Sequence, residues 1–463
     1  MRITTYSLGA TGEVTGSKHI LEVDGKSYMV DCGAWQGTSE ATAKNKTFEF
    51  PVEKLSGVFL THAHFDHCGL LPKLIKDGYT GNIYSTPATR DLASIVMMDS
   101  AKIQKYEDDA AYEEKDVIET VNHFRCHAYH KEKRINDTIT YTAYDAGHIL
   151  GSALLDIKVT PKPNFLEKLF RKTVTPKHIL FTGDLGRKDN PITKEPETKD
   201  IPAPDYIYLE STYGNRLHND REQSIEKLAD IINATFENGG KVIIPSFAIE
   251  RAQEIIYYVK VLMMKKRIPK VPVYVDSPMA SSATGVFSIH PECFNHVLTD
   301  RFLSRGKNPF SVSTLRFITS YQESVALAKK QQPCIVIAAN GMCEAGRIIN
   351  HLKGGLENYN NTVVLVGYMA ENTLGRKLLD GATDVVIDEK EYMVKAHIEN
   401  IDAFSAHADY NEIKSWLNDL DTSKLKKIFL VHGDTEALAS LQTLLTSEGY
   451  KVEIVKNNEK YAL

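Results

Sequence analysis

The stretch Thr61-His62-Ala63-His64-Phe65-Asp66-His67-Cys68-Gly69 crowds three histidines and one aspartate into the positions from His62 to His67. It follows the apolar run Gly57-Val58-Phe59-Leu60, which reads as a buried strand. Side chains gathered just past a strand end converge on one point, which is what a metal ion asks of its ligands. The cluster is too long for one ligand pair and too dense for two separate zinc sites. It reads as the opening half of a dinuclear centre, and the fold must bring the missing ligands from other strand ends.

The rest of the chain offers them. Gly147-His148-Ile149-Leu150-Gly151-Ser152 lies between two strand-like runs, Phe181-Thr182-Gly183-Asp184 ends a third with an aspartate beside glycine, and Leu430-Val431-His432 ends the last. With the opening cluster these make seven candidate ligands: His62, His64, Asp66, His67, His148, Asp184 and His432. Two Zn²⁺ ions roughly 3.5 to 4 Å apart, bridged by one carboxylate, use such a set fully. Alone, His148 or His432 would more often be a structural histidine, and Glu210 a solvated or capping carboxylate; order and placement reverse the reading for the histidines.

At 463 residues the chain has room for two or three domains, and a net charge of −5 gives no global sign of a nucleic-acid binder. The first residues lack the apolar core of a signal peptide, and no window approaches the roughly eighteen apolar residues of a membrane helix. Six scattered cysteines without a Cys-x-x-Cys pair point to reduced thiols and a cytoplasmic protein. Cys32 and Cys68 flank the cluster as small buried fillers. Short strands fill the first 60 residues or so, a helical stretch covers about 87–130, and a polar, basic segment at 161–177 reads as an exposed loop or short helix. His123, Cys126, His127 and His130 set three of their number on one face of that helical stretch, with nothing to close a tetrahedron, and are expected not to bind metal. From about 215 to 400, β-branched runs alternate with helical lengths, the pattern of a parallel α/β sheet.

Asp31, the His-x-His-x-Asp-His cluster, His148 and Asp184 resemble the successive motifs of the metallo-β-lactamase fold. Glu210-Ser211-Thr212-Tyr213-Gly214, Phe404-Ser405-Ala406-His407-Ala408-Asp409 and Leu430-Val431-His432-Gly433-Asp434 resemble the three further motifs of the β-CASP nucleases. The resemblance runs nearly end to end. It is closest to the branch holding the pre-mRNA 3′-end cleavage endonuclease subunit and its bacterial and archaeal relatives. It implies an α/β protein: an αββα metallo-β-lactamase sandwich from residues 1–214 and 406–463, with a parallel-sheet β-CASP domain, 215–405, inserted as a lid over a groove that holds the active site.

The same resemblance implies roles. His62, His64 and His148 hold one zinc, and Asp66, His67 and His432 hold the other. Asp184 bridges two Zn²⁺ per chain, while Asp31 accepts a ligand ring's N–H instead of binding metal. Water activated by the pair attacks phosphorus, His407 protonates the leaving 3′ oxygen, and Glu210 fixes the tautomer of His407 and raises its pKa. The products carry 5′-phosphate and 3′-hydroxyl ends. Members acting on RNA have histidine at the last motif where DNA-repair members have valine, so His432 favours RNA. The partner is single-stranded RNA with no membrane involved, and a second copy of the chain is left open. No accessory RNA-binding domain is recognised, so the grip on RNA falls to Ser246, Arg251, Arg347 and Arg376, each after an apolar strand. The three arginines have an equal alternative as interdomain salt bridges. Glu250 stands where relatives have glycine, and Met369 and Asn372 stand where they read glutamine and glycine.

The expected activity is therefore zinc-dependent hydrolysis of single-stranded RNA, endonucleolytic in processing or decay. A 5′-exoribonuclease and a non-catalytic RNA-binding scaffold are the alternatives. A thioesterase or lactamase on the same scaffold needs neither the long insertion nor the Glu210–His407 pair.

Overall fold

The computed structural model describes residues 2–105, 110–161, 175–367, 369 and 372–463. The expected loop at 161–177 falls almost wholly outside the described residues. The chain divides into two compact units, Met1–Leu217 with His407–Leu463, and His218–Ala406.

The first unit is built on two seven-stranded sheets. In spatial order, one sheet contains Tyr461–Ala462, Ile3–Ser7, His19–Val23, Lys26–Val30, Leu55–Phe59, Ile83–Ser85 and Phe124–Cys126. The other contains Val452–Ile454, Lys427–Val431, Tyr206–Glu210, Lys177–Phe181, Ala153–Val159, Ile139–Asp145 and Lys133–Arg134. Period-2 side-chain alternation explains the layering. Along Ala153–Val159, the residues Ala153, Leu155, Ile157 and Val159 face the core between the sheets, which also holds Val30, Phe59, Tyr84, Phe181 and Val431. Leu154 points the other way, with Leu180, Leu209 and Leu430, onto Trp416 and Leu417 of the helix Tyr410–Asp419 and onto Leu438 and Leu441 of Thr435–Ser447. Both faces of the central strands are therefore apolar, and each fully buried Leu, Ile or Phe contributes on the order of 1.5–3 kcal/mol. Helices Leu71–Lys76, Pro87–Gln104 and Glu114–His123 belong to the first half of the unit and pack on one another.

The single helical stretch expected at 87–130 is two helices. The second ends at His123 and the chain turns at once into the strand Phe124–Cys126, which pairs in parallel with Ile83–Ser85. The β-branched and aromatic residues here are few, and it is the sheet edge that pulls the chain extended. His123, Cys126, His127 and His130 thus share no helical face.

The second unit carries a six-stranded sheet, all parallel, in the order Leu315–Phe317, Val273–Asp276, Ile335–Ala338, Val242–Pro245, Thr362–Leu365 and His397–Asn400. Its central strands, Ile335–Ala338, Val242–Pro245 and Thr362–Leu365, are buried along their whole length. A separate antiparallel hairpin joins Asp384–Ile387 to Lys390–Met393. Glu250 and Asn372 take φ of 65° and 66°, a backbone that glycine adopts without cost. Among the described residues no helix is long and apolar enough to cross a membrane.

Candidate metal centre

The opening cluster sits where Leu55–Phe59 gives out. His62 and His64 lie on the loop after Leu60, and Asp66 and His67 on the single helical turn Phe65–Cys68. Two glycines let the backbones close in. A Cβ on Gly33 would stand 1.5 Å from the Asp66 carbonyl oxygen, and one on Gly183, whose φ is +52°, would stand 2.7 Å from Thr61 Cβ. His148 is fixed by its backbone N–H, which donates to Ser152 Oγ at 3.1 Å. Asp184 follows Lys177–Phe181 directly, and His432 follows Lys427–Val431 with φ of 55°. That left-handed residue turns the ring out of the strand's line. Asp31 does the same at the end of Lys26–Val30 with φ of 61°, and such strained positions gather at functional sites.

Seven side chains from four chain segments meet here in two groups. His62, His64, His148 and Asp184 form one, with donor atoms all within 4.8 Å of one another; Asp66, His67 and His432 form the other. His64 Nδ1 lies 3.1 Å from His62 Nε2 and 3.2 Å from His148 Nε2. Asp184 spans both groups: Oδ2 is 3.3 Å from His62 Nε2 and Oδ1 is 3.2 Å from His67 Nε2.

The hydrogen bonds around the groups settle which ring atoms face inward. His67 Nδ1–H donates to Asp31 Oδ2 at 2.7 Å, so Nε2 is the atom turned inward; burial works against charge on this ring, but Asp184 and Asp31 raise its pKa well above the ordinary value. Thr61 Oγ1–H donates to the Asp31 carboxylate at 2.9–3.0 Å and accepts from His62 Nδ1–H at 3.0 Å. His62 Nε2 is therefore turned inward with a lone pair. Thr61 was not singled out from the sequence, although a hydroxyl residue next to a ligand histidine is the signal that finds it. Burial lowers the pKa of His62, His64 (to about 3) and His148, which keeps all three rings neutral. Asp184 is buried too, yet the surrounding histidines hold it well below the usual carboxylate range.

The His62 Nε2 lone pair thus meets the Asp184 carboxylate at 3.3 Å with both side chains buried. Asp184 Oδ1 is buried without a hydrogen-bond donor. A buried anion facing a neutral imidazole lone pair costs several kcal/mol unless a cation sits between them. Neutral histidine and ionised carboxylate are the metal-binding forms, so the residues present fit a metal. Cys32 and Cys68 are buried beside the site as unpaired thiols, and burial pushes Cys32 up to about 12, away from the thiolate a metal would take.

Beside the first group stands a third, Asp184, Glu210 and His407. Glu210 ends the strand Tyr206–Glu210 and is fully buried, not the solvated carboxylate its bare sequence suggests. Its Oε1 accepts from Leu185 N–H at 2.7 Å and from His407 Nδ1–H at 3.0 Å. Burial works against charge on His407, but the carboxylates of Glu210 and Asp184 outweigh it and lift the ring to about 9. The His407 loop is held by the capping box of Tyr410–Asp419, in which Asp409 and Glu412 exchange hydrogen bonds.

Family models match along the chain: a metallo-beta-lactamase superfamily domain over 20–164, a Beta-Casp domain over 252–378, and a Zn-dependent metallo-hydrolase RNA specificity domain over 391–455. A relative from Thermus thermophilus, Ribonuclease TTHA0252, is 34% identical over 99% of this chain and 99% of that protein. The chain belongs to the β-CASP ribonuclease family. This β-CASP enzyme is also 30% identical to Transcription termination factor FttA of Methanosarcina mazei, over 95% of the chain and 68% of that protein. A solved structure of a protein of unknown function from Enterococcus faecalis covers the whole chain with a TM-score of 0.58 at 12% identity, a likeness of fold.

The residues expected to grip RNA all lie in the second unit. Ser246 is buried, its hydroxyl donating to the Phe247 carbonyl at 3.0 Å. Arg251 is buried and pairs with Glu254, which also takes Arg221. Arg347 donates to Asp276 at 2.7 Å and to the carbonyls of Ile318 and Thr319. Arg376 pairs with Asp380 one turn away. All three arginines pair with carboxylates of their own unit.

Proposed function

We propose that the chain is a zinc-dependent ribonuclease that cuts single-stranded RNA internally, leaving 5′-phosphate and 3′-hydroxyl ends. The observation that carries this reading is the pair formed by the buried Glu210 and the partly exposed His407 beside Asp184. Metal ligands alone would suit many hydrolases; a protonated ring beside them suits expulsion of an alkoxide. His62, His64 and His148 would hold one Zn²⁺, Asp66, His67 and His432 the other, with Asp184 between them. Two zincs bound there supply an acidified water and charge stabilisation for a phosphoryl group.

This chain's own residues do the rest. Glu210 accepts a hydrogen bond from His407 Nδ1–H, so the proton given to the leaving 3′ oxygen comes from Nε2. With its pKa near 9 the ring is protonated at neutral pH, ready as an acid. Asp31 and Thr61 keep Nε2 of His67 and of His62 turned inward. RNA as substrate is supported by the ribonuclease relative and by the RNA specificity match, whose span includes His407 and His432.

The test is incubation of the purified protein with 5′-labelled single-stranded RNA, with and without chelator, followed by metal analysis of the active fraction. Internal fragments with 5′-phosphate ends, restored by Zn²⁺ after chelation, are expected. Mononucleotide release from the labelled end makes the enzyme a 5′-exonuclease, and absence of any chelator-sensitive cleavage overturns the reading.

A further inference from the structure

Both zinc groups lean on hydrogen bonds to the outward nitrogen of a ligand histidine: Asp31 on His67 and Thr61 on His62. His432 stands on a different strand, beyond reach of either as they are engaged. Its outward nitrogen meets the turn that follows Glu210. Tyr206–Glu210 and Lys427–Val431 pair in parallel with Glu210 opposite Val431, so Ser211–Gly214 runs beside His432-Gly433. Ser211 N–H donates to the His432 carbonyl at 3.0 Å. The Thr212 hydroxyl lies 3.2 Å from that carbonyl and 3.0 Å from His432 Nδ1.

A hydroxyl has one proton to give. The carbonyl can only accept, so Thr212 Oγ1–H donates there and its oxygen accepts from His432 Nδ1–H. That arrangement leaves the lone pair on Nε2, the atom 3.2 Å from His67 Nε2 and 3.4 Å from Asp66 Oδ2. The backbone N–H of Thr212 meanwhile donates to Glu210 Oε2 at 3.1 Å. We infer that Thr212 is a positioning residue that sets the tautomer and aim of His432, so that one turn holds both the carboxylate behind the acid His407 and the ring that completes the second metal group. The inference rests on the reading of His432 as a ligand. A second acceptor competes for the same proton: Asp184 Oδ1 lies 3.5 Å from His432 Nδ1. A bound metal would draw on that oxygen, which leaves the proton to Thr212.

The test compares the full-length protein with its Thr212→Val, Thr212→Ser and His432→Ala variants. Zn²⁺ affinity is measured by competition with a chromophoric chelator, and thermal unfolding of each metal-free form shows whether it is folded. Thr212→Val is nearly isosteric and removes only the hydroxyl, so one of two ions should bind 10- to 100-fold more weakly, with the other unchanged. Thr212→Ser should restore affinity to within about threefold by keeping the hydroxyl. If Thr212→Val holds both ions at wild-type affinity while His432→Ala loses one, Asp184 alone orients the ring and the inference falls. If His432→Ala also keeps both, the ligand reading itself is wrong. Should the metal-free valine variant be unfolded, the serine variant decides: weakened zinc with the hydroxyl present removes Thr212 from this role.

Discussion

The two units place charged residues at the same kind of location, the ends of sheet strands, and treat them in opposite ways. In the second unit, Asp276 ends Val273–Asp276 fully buried and meets His351 Nε2 and Arg347 Nη1, each at 2.7 Å. Nearby, Glu254 is flanked by Arg221 and Arg251. There each of these carboxylate oxygens faces a donor. In the first unit Asp184 Oδ2 meets Nε2 of His62, a neutral ring whose proton is turned outward to Thr61. Burial and charge are alike in the two places. What separates a structural ion pair from a metal centre is the direction in which the protons point.

The largest effect should come from breaking the unsatisfied side. Asp184→Asn replaces an anion shared by both groups with an amide, and cleavage should fall more than about 10⁴-fold, with zinc content reduced. Retention of two tightly bound zincs by that variant would contradict the assignment of Asp184 between the groups. His407→Ala should cost about 10²- to 10⁴-fold in cleavage, the usual share of a general acid, and leave zinc content unchanged. Loss of zinc there would move His407 from acid to ligand.

On the satisfied side the outcome is inverted. Asp276→Ala leaves a buried guanidinium without its carboxylate and should lower unfolding free energy by about 3–5 kcal/mol, with no change in zinc content. Burial opposes charge on Asp276, but the hydrogen bonds from His351, Ser324 and Arg347 prevail and its pKa is lowered. A depressed carboxylate contributes stability above its ordinary range and loses it as pH falls through its folded value. The gap between wild type and variant in urea unfolding should therefore narrow below about pH 4. A smaller effect belongs to Glu210→Gln. An acid works below its pKa, and removing the carboxylate lowers that of His407, so the alkaline limb of kcat/KM should move to lower pH. An unmoved limb would assign it to some other group.

The convergence of the seven side chains was legible because each follows an apolar run that had to be a buried strand, and strand ends of one sandwich crowd together. The parallel sheet of the second unit was legible for a related reason: Val242–Pro245, Ile335–Ala338 and Thr362–Leu365 are too short and too β-branched for helices. What stayed hidden was set by partners far along the chain. Phe124–Cys126 extends because an edge at Ile83–Ser85 awaits it, not from its own pattern. Thr61 and Thr212 are small polar residues of no special spacing, and only the folded neighbourhood gives their hydroxyls a direction. The arginines 251, 347 and 376 sit after strands as expected, but the carboxylates that engage them, apart from the near neighbours Glu254 and Asp380, come from other elements.

Arg376 is the case in which the comparison can be sharpened furthest. Arg251 is held in a buried pair and Arg347 is tied to the buried Asp276, whereas Arg376 has a side chain 43% exposed and pairs with Asp380, itself 54% exposed, at i, i+4 on Leu374–Leu379. An exposed helical pair of this kind is worth about 0.3–0.5 kcal/mol, so Arg376→Ala should barely change stability. Its guanidinium can exchange Asp380 for a phosphate at little cost, which a buried partner could not. RNA affinity of the alanine variant should then drop severalfold, and the slope of log affinity against log salt should fall by about 0.7, the share of one phosphate contact on a single strand. An unchanged slope with unchanged stability would place Arg376 among ordinary surface charges. The converse result for Arg347→Ala, a large loss of stability, would confirm that the second unit spends its buried arginines on holding itself together.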